Sequence, residues 1–259
     1  MSGIALLSAI PIRKEPSHRS EMVSQLLFGE GYDVTESKED WIKVKCWYDG
    51  YEGWMDKAQS RTLAPRDVSS LKSTPSGIAL EVVNSATSPE RAITVVNGSS
   101  LPGYDGMNFK IGNEKFIYNG QALLPGQIVP GGPISMLEKI ALRYLHAPYL
   151  WGGRSPFGID CSGLTQVVFK CLGVALPRDA YQQAEMGTTL NFVEETQPGD
   201  LAFFHNPEGK ITHVGIILKD QQIIHASGRV RIDRFDHFGI YRQETKKYSH
   251  QLKLLKRVL

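Results

Sequence analysis

A nine-residue segment at positions 125–133, with the sequence PGQIVPGGP, divides this chain into two parts. Three Pro and three Gly in nine positions are too many for a helix or a strand to continue through it. Before the segment, short runs of alternating apolar and polar residues are separated by turn signals such as Asp49-Gly50, which is typical of small all-β units. After it, helical spacing comes first and strand spacing follows, which predicts an α+β domain.

A second break lies within the β-rich part. Residues 64–77 are rich in Pro, Ser and Thr and predict a loop. We therefore predict three domains, at residues 1–63, 64–130 and 131–259. With 259 residues, of which 41% are apolar, the chain can bury enough surface to fold without disulfide bonds.

The charge balance and the N-terminal residues limit the partners of the chain. The formal net charge is +2 and no basic block is long enough to follow a phosphate backbone, so nucleic acid is not an expected partner. The first residues are apolar but lack a charged start and are too few to span a bilayer, so no membrane span is expected. The expected location is cytoplasmic if the chain is complete as given, and the cell envelope if a signal segment has been removed. A monomer is compatible with the sequence, which does not predict an oligomeric state.

The α+β part contains two predicted helices and a candidate nucleophile. Ser135 and Glu138 form a capping box that predicts the start of the first helix. The second helix is predicted to begin at Cys161, with Asp160 as its N-cap. A thiol there lies beside unpaired backbone N–H groups and the positive end of the helix dipole, which favour the thiolate. The other two cysteines are predicted to be buried apolar residues: Cys46 and Cys171.

A cysteine nucleophile needs a base and a partner that orients the base. His213 and His225 lie in apolar strands joined by a tight polar turn, so a hairpin can bring their rings together. Each is otherwise interpreted as a core histidine, and a further alternative is a zinc site made of Cys161 and both histidines. The compact ligand pairs of zinc motifs are absent from the sequence, and no metal or other cofactor is predicted. The remaining histidines are assigned to surface or packing roles: His18, His146, His205, His237 and His250.

Six short motifs follow one another between residues 148 and 226. They are P-Y-L-W-G-G at 148–153, G-I-D-C-S-G-L at 158–164, L-P-R-D at 176–179, P-G-D-L at 198–201, H-V-G-I at 213–216 and I-H-A at 224–226. Their order and spacing resemble those of the NlpC family of papain-like cell-wall cysteine peptidases. The β-rich part is similar to the bacterial SH3 domains that precede this catalytic domain in some members. The resemblance therefore implies two small SH3-like β-barrels followed by an α+β papain-like catalytic domain.

The resemblance also implies an activity, which is hydrolysis of peptidoglycan stem peptides by a cysteine endopeptidase in cell-wall turnover or recycling. Cys161 would be the nucleophile, His213 the general base and His225 the residue that orients the base. In members with two such β domains, the cleaved bond joins γ-D-glutamate to the diamino acid, and the N-terminal L-alanine must be unblocked. The implied partner is thus the peptide L-Ala-γ-D-Glu-diamino acid. The residues carried over to substrate binding are Asp160, Ser162, Tyr149, Tyr51 and Glu21, with Asp160 and Tyr51 at the L-alanine amine.

Two other functions fit the same residues. One is a cell-wall-binding protein with a non-catalytic third domain, against which the intact Cys161, His213 and His225 argue. The other is an amidase or an acyltransferase on the same Cys-His-His site, because a thioester can pass its acyl group to water or to an amine. The sequence leaves open whether the diamino acid is meso-diaminopimelate or lysine, how the histidine pair is protonated, and what Arg178 and Asp179 do.

Overall fold

The computed structural model describes residues 1–124, 126–127 and 132–259. These residues form two compact units. The first unit contains Met1–Gln127 and Trp151–Pro156, and the second contains the rest of the described residues. The break predicted at residues 125–133 lies largely outside the described residues, and the division into three domains stays a prediction.

Six strands open the first unit: β1 (Ser2–Ile4), β2 (Ala9–Arg13), β3 (Met22–Leu27), β4 (Gly31–Lys38), β5 (Trp41–Cys46) and β6 (Glu52–Asp56). They form one antiparallel sheet in the order β1-β4-β5-β6-β2-β3. Alternate side chains of β2 and β5 are buried, so that Ile10, Ile12 and Val44 meet in one apolar core. The β structure predicted for this part of the chain is confirmed.

A helix, α1 (Pro65–Ser73), occupies most of the region that the sequence predicts to be a loop. The loop prediction is therefore wrong for these residues. Pro65 lies at the start of the helix, where its missing N–H costs no hydrogen bond, and Leu71 packs against an apolar core. The Pro that signals a break in the sequence is thus the first residue of a helix.

The remaining strands of the β-rich part form two small sheets. They are β7 (Ser76–Ala79), β8 (Val83–Thr87), β9 (Ala92–Val96), β10 (Ser100–Pro102), β11 (Asn108–Ile111), β12 (Glu114–Ile117) and β13 (Ala122–Leu123). The sheet orders are β10-β7-β13 and β11-β12-β8-β9. The rings of Phe109 and Phe116 stack at 5.2 Å, and Phe28 contacts both of them edge-on. One core cluster therefore joins residues from both β-rich regions of the first unit.

Residues 151–156 belong to the first unit, and Arg154 anchors them there. This segment contains β14 (Arg154–Ser155). The Arg154 guanidinium donates to both carboxylate oxygens of Glu30, at 2.8 and 2.9 Å, and to the Gln25 carbonyl oxygen at 2.6 Å. Both charged side chains are 2% exposed. Separating the two partners of such a pair would leave buried charges uncompensated, which is strongly unfavourable. The ion pair therefore keeps this segment in the first unit.

Three helices belong to the second unit: α2 (Gly132–Arg143), α3 (Cys161–Lys170) and α4 (Ala180–Gln183). The helix α2 begins three residues before Ser135, so the predicted capping box lies inside the helix and does not start it. Pro133 stands in the first turn instead, a position that proline favours. The helix α2 has 12 residues, and among the described residues there is no helix with the length and apolar character needed to cross a bilayer.

The strands of the second unit are β15 (Gly158–Ile159), β16 (Thr188–Leu190), β17 (Leu201–His205), β18 (Ile211–Ile217), β19 (Gln222–Ser227), β20 (Arg229–Phe235), β21 (Gly239–Arg242) and β22 (Lys247–Arg257). Seven of them form a sheet in the order β16-β22-β17-β18-β19-β20-β21. Because β21 also pairs with β22, six strands close into a ring. The helix α3 packs on β18 and β19, and all ten of its residues are buried. Helices followed by a sheet are the α+β arrangement that the sequence predicts.

Candidate active site

Cys161 is the first residue of α3, as predicted. Asp160 is the N-cap, and its Oδ1 atom accepts a hydrogen bond of 2.7 Å from the Gly163 backbone N–H. This bond satisfies one of the backbone donors that every helix start leaves open. The local sequence Asp-Cys-Ser-Gly therefore fixes where the thiol lies.

The thiol is buried, and its burial changes its acidity. Cys161 is 6% exposed, and burial followed by the charge of Asp160 raises the pKa of the thiol to about 12. Hydrogen bonds from the backbone of Val214 and Ser162 act in the opposite direction but do not offset this rise. The helix start favours the thiolate, as expected, but burial and the charge of Asp160 outweigh this effect in the protein without substrate. The proton has to be removed during the reaction.

His213 and His225 lie together on the β18–β19 hairpin, as predicted. The turn between these strands places Asp220 and Gln221 at φ of 56° and 54°. His213 Nε2 and His225 Nδ1 are 2.8 Å apart, and both rings are buried. A Cβ at position 215 would lie only 3.0 Å from the His225 Cβ. The glycine therefore allows the backbone of β18 to lie this close to His225. Val214, whose backbone hydrogen-bonds Cys161, follows His213 on β18.

Asp233 on β20 extends the histidine pair, and sequence reasoning missed it. Its Oδ2 atom lies 2.9 Å from His225 Nε2, and Arg231 donates to both of its carboxylate oxygens at 2.6 and 2.8 Å. Burial opposes ionisation of Asp233, but the hydrogen bonds from His225 and Arg231 outweigh it and lower its pKa to about 2. Asp233 is therefore a carboxylate, which can only accept hydrogen bonds.

The charge on Asp233 determines where the protons lie along the chain of rings. Burial lowers the pKa of both His213 and His225, so both rings are neutral at pH 7. A neutral His225 that donates from Nε2 to Asp233 has its lone pair on Nδ1, and His213 must then donate from Nε2. The remaining nitrogen of His213, Nδ1, carries the lone pair. The hydrogen-bonded chain of Asp233, His225 and His213 therefore leaves Nδ1 as the nitrogen of His213 that can accept a proton.

His250 on β22, which the sequence assigns to a surface or packing role, packs against this cluster. Its ring stacks on His213 with centroids 4.0 Å apart and planes at 20°, and its centroid is 5.7 Å from that of His225. No local pattern around His250 signals this position. The Ser-His pair in an exposed part of a long strand resembles any surface segment.

The three imidazoles are the group of described residues most suited to a metal by donor type, because one nitrogen of each lies within 4.8 Å of the others. Zinc binds about 2.0–2.1 Å from an imidazole nitrogen, in the direction of its lone pair and hence near the ring plane. The planes of His213 and His250 are stacked and nearly parallel, so a single ion cannot lie in both. The rings as they stand therefore do not fit a shared metal.

Asp160 and Ser162, predicted to bind substrate, are joined by Arg178. The Arg178 guanidinium donates to the two carboxylate oxygens of Asp160 at 3.0 and 2.6 Å and to Ser162 Oγ at 2.9 Å. All three side chains are buried. Arg178, for which the sequence predicts no role, therefore balances the Asp160 charge beside the nucleophile.

Tyr149 lies close enough to Cys161 and Asp160 for their charges to act on its hydroxyl. Burial, and then these two neighbours, raise the pKa of Tyr149. The hydroxyl is therefore protonated at pH 7 and can donate a hydrogen bond. The structure thus brings Tyr149, Asp160 and Ser162 together with Cys161.

Tyr51 and Glu21, the other two predicted substrate residues, lie in the first unit. Tyr51 packs against the apolar core of the first six strands, and its backbone N–H donates to Asp49 at 3.0 Å. Glu21 accepts a hydrogen bond of 2.7 Å from the indole N–H of Trp151. Trp151 belongs to the P-Y-L-W-G-G motif, so Glu21 has a partner within that motif. The predicted role of both residues in substrate binding stays a prediction.

Comparison with known proteins identifies the family. The profile of the NlpC/P60 family matches residues 146–252, and that of the bacterial dipeptidyl-peptidase SH3 domain matches residues 12–59. The γ-D-glutamyl-L-lysine dipeptidyl-peptidase of Bacillus subtilis is 31% identical over 219 residues, which cover 78% of this chain and 71% of that protein. Dipeptidyl-peptidase 6 of Lysinibacillus sphaericus is 28% identical over 269 residues, 94% of this chain and 96% of that protein.

The fold has a counterpart over its whole length. The crystal structure of an NlpC/P60 family protein from Bacillus cereus covers 100% of both chains with a TM-score of 0.84 and 21% identity. Together with the identity to the Bacillus subtilis protein, these matches show an SH3-like N-terminal domain followed by a catalytic domain. The chain belongs to the NlpC/P60 family of cysteine peptidases.

Proposed function

We propose that this enzyme hydrolyses the γ-D-glutamyl–diamino acid bond of peptidoglycan stem peptides whose N-terminal L-alanine is free. The observation that carries the proposal is the similarity to two proteins named dipeptidyl-peptidases, which extends over 78% and 94% of this chain. A dipeptidyl-peptidase releases two residues from a free N-terminus. L-Ala-γ-D-Glu is the corresponding dipeptide of a stem peptide.

In the proposed mechanism, His213 Nδ1 takes the proton from the Cys161 thiol. The sulfur attacks the γ-carbonyl carbon of D-glutamate, and the Cys161 backbone N–H and the Tyr149 hydroxyl stabilise the oxyanion. The carbon–nitrogen bond breaks as His213 returns the proton to the leaving amine. A water molecule that gives a proton to His213 then hydrolyses the thioester, and the proton passes to the sulfur to restore the thiol.

The free L-alanine amine is the feature that separates this substrate from intact wall peptides. We assign its recognition to Asp160, Tyr51 and Glu21, because a desolvated ammonium requires anionic or acceptor partners. The Arg178 guanidinium supports this role of Asp160, since it donates hydrogen bonds to both oxygens of the buried carboxylate and so holds the side chain in place beside Cys161. Ser162 is assigned to the same substrate site.

The proposal extends to the β-rich part of the chain. We assign residues 1–63 and 64–130 to two SH3-like domains and residues 131–259 to the catalytic domain. The SH3 match at residues 12–59 supports the first of these. The two small sheets of the second region, in the orders β10-β7-β13 and β11-β12-β8-β9, support a second β domain.

The test is digestion of L-Ala-γ-D-Glu-meso-diaminopimelate and L-Ala-γ-D-Glu-L-Lys, with mass spectrometry of the products. We expect L-Ala-D-Glu from the wild type, with or without EDTA, and none from Cys161→Ala. N-acetylated peptides are the matched substrates, and equal kcat/KM for acetylated and free peptides would contradict recognition of the amine. Release of L-Ala-D-Glu amides only when an amine is added would identify an acyltransferase instead.

A further inference from the structure

The ring of His250 covers one face of His213, although the two residues lie on strands that are not neighbours in the sheet. In the order β22-β17-β18, the strand β17 lies between them. The pairing of β17 with each neighbour is irregular beside Phe204: one register shift lies between Phe203 and Phe204 and the other between Phe204 and His205. Such irregularities redirect side chains, and here they accompany a ring contact across β17.

His213 is surrounded by rings whose orientations differ. The His250 plane lies at 20° to the His213 plane, whereas the His225 plane lies at 85° and the Phe204 plane at 47°. His225 Nδ1 therefore hydrogen-bonds the edge of the His213 ring at Nε2, while His250 covers its face. The His250 ring is itself held, because Ser249 Oγ lies 2.9 Å from its Nδ1 atom.

The reaction requires a fixed plane for the His213 ring. Nε2 lies 2.8 Å from His225 Nδ1, the proposed mechanism uses Nδ1 to take the thiol proton, and a rotation of the ring moves both nitrogens at once. We propose that His250 is a positioning residue that holds this plane through its stacked face. This inference rests on the proposed role of His213 as the general base.

The charge state of His250 supports its position on the face of the His213 ring. Burial, followed by the charges of His225 and Arg242, lowers the pKa of His250 to about 4, so its ring is neutral at pH 7. When His213 accepts the thiol proton, the new cation meets an uncharged aromatic face, which attracts cations. A protonated ring at the same distance would repel it.

The test compares His250→Phe, which keeps a flat ring, with His250→Leu, which fills the space without one. We expect kcat for the tripeptide to fall at least about 10-fold in the leucine variant and to stay within about 3-fold of wild type in the phenylalanine variant, because small misplacements of a catalytic group are costly. KM should change less than about 2-fold in both, since His250 is placed on His213 and not on the substrate. His237→Leu is the control, because His237 packs on Phe238 with the same centroid distance of 4.0 Å in an exposed loop.

A second readout does not depend on the substrate. Imidazole ¹⁵N shifts in Cys161→Ala protein report which His213 nitrogen is protonated. We expect the single Nε2–H form when position 250 carries histidine or phenylalanine, and a mixture of both forms in the leucine variant. If the leucine variant does not fold, His250→Met takes its place, because an unbranched thioether fills the space without a flat ring.

The proposal is overturned if leucine and phenylalanine have the same effect on kcat, or if the His213 tautomer is the same in all variants. A wild-type enzyme that cleaves neither stem peptide contradicts the proposed function. The ¹⁵N shifts then still decide the role of His250, so the two failures are distinguishable.

Discussion

The side chains of Asp233, His225 and His213 form one hydrogen-bonded chain, and its order gives each of them a different task. Asp233 is fixed as an acceptor by Arg231, His225 donates to it, and His213 is left with a lone pair at Nδ1. A single histidine beside a cysteine would have no such preference between its two nitrogens. Asp233 and His225 therefore determine which nitrogen of His213 can take a proton.

Replacement of Asp233 by alanine should reduce kcat about 10- to 100-fold, because His225 then loses the acceptor that fixes its tautomer and so no longer fixes that of His213. The measurement is kcat and KM with the tripeptide at pH 7. Glu244→Ala is the control, since it removes the other carboxylate partner of Arg231 and leaves the Asp233–His225 bond in place. Equal rates for the two variants would show that the hydrogen-bonded chain needed for catalysis ends at His225.

The start of helix α3 combines a cap, an ion pair and the proposed nucleophile within three residues. Asp160 caps the helix by accepting from the Gly163 N–H, and its two carboxylate oxygens also accept hydrogen bonds from both Nη atoms of Arg178. The cap is a local feature, which is why the sequence predicts this helix start correctly. The ion pair is not local, because Arg178 lies 18 residues further along the chain.

The loss of Arg178 should destabilise the protein strongly, because Asp160 remains as a buried and uncompensated charge. We expect Arg178→Leu to lower the free energy of unfolding by about 3–5 kcal/mol. The double variant Arg178→Leu/Asp160→Asn should recover part of this loss, since asparagine is also a good N-cap and carries no charge. Urea unfolding followed by circular dichroism measures both. A double variant less stable than the single one would show that the charge of Asp160 is not the cause.

The helices α1 and α2 show where local signals fail. Ser135 and Glu138 have the spacing of a capping box, yet α2 begins at Gly132, because a proline in the first turn is also a start signal. The segment that contains α1 has many residues that favour turns, and no residue of α1 is fully buried. Its helical form depends on Leu71 packing against a core built from distant strands, which no local pattern reports.

The ring of strands assembles an active site that the linear sequence only partly predicts. The positions of Cys161, His213 and His225 in the proposed site can be predicted because each lies in a distinctive local context, at a helix start or within one hairpin. Asp233 and His250 come from β20 and β22, and their place depends on how the sheet closes through the β21–β22 pairing. Closure of this kind is set by long-range register, so the residues that surround His213 become visible only in the folded structure.

The buried histidines make the stability of the whole protein depend on pH. Burial lowers the pKa of His213, His225 and His250 in the folded state from the ordinary value of 6.5. Below pH 6.5 the unfolded chain therefore binds up to three more protons than the folded one, and the free energy of unfolding falls as the pH falls. Above about pH 8 both states are neutral at these sites, and their contribution to the pH dependence disappears.

We therefore expect the free energy of unfolding to level off, with respect to these groups, toward about pH 8 and to decrease most steeply below about pH 6.5. Urea unfolding at half-unit steps of pH measures this slope. The His250→Phe variant removes one of the three titrating rings, so its slope in the same interval should be lower than that of the wild type. The window excludes Asp233, because its pKa of about 2 affects stability only at lower pH. An equal slope in the variant and the wild type would mean that His250 is as easily protonated in the folded protein as in the unfolded chain. The His250 ring would then not be buried against His213.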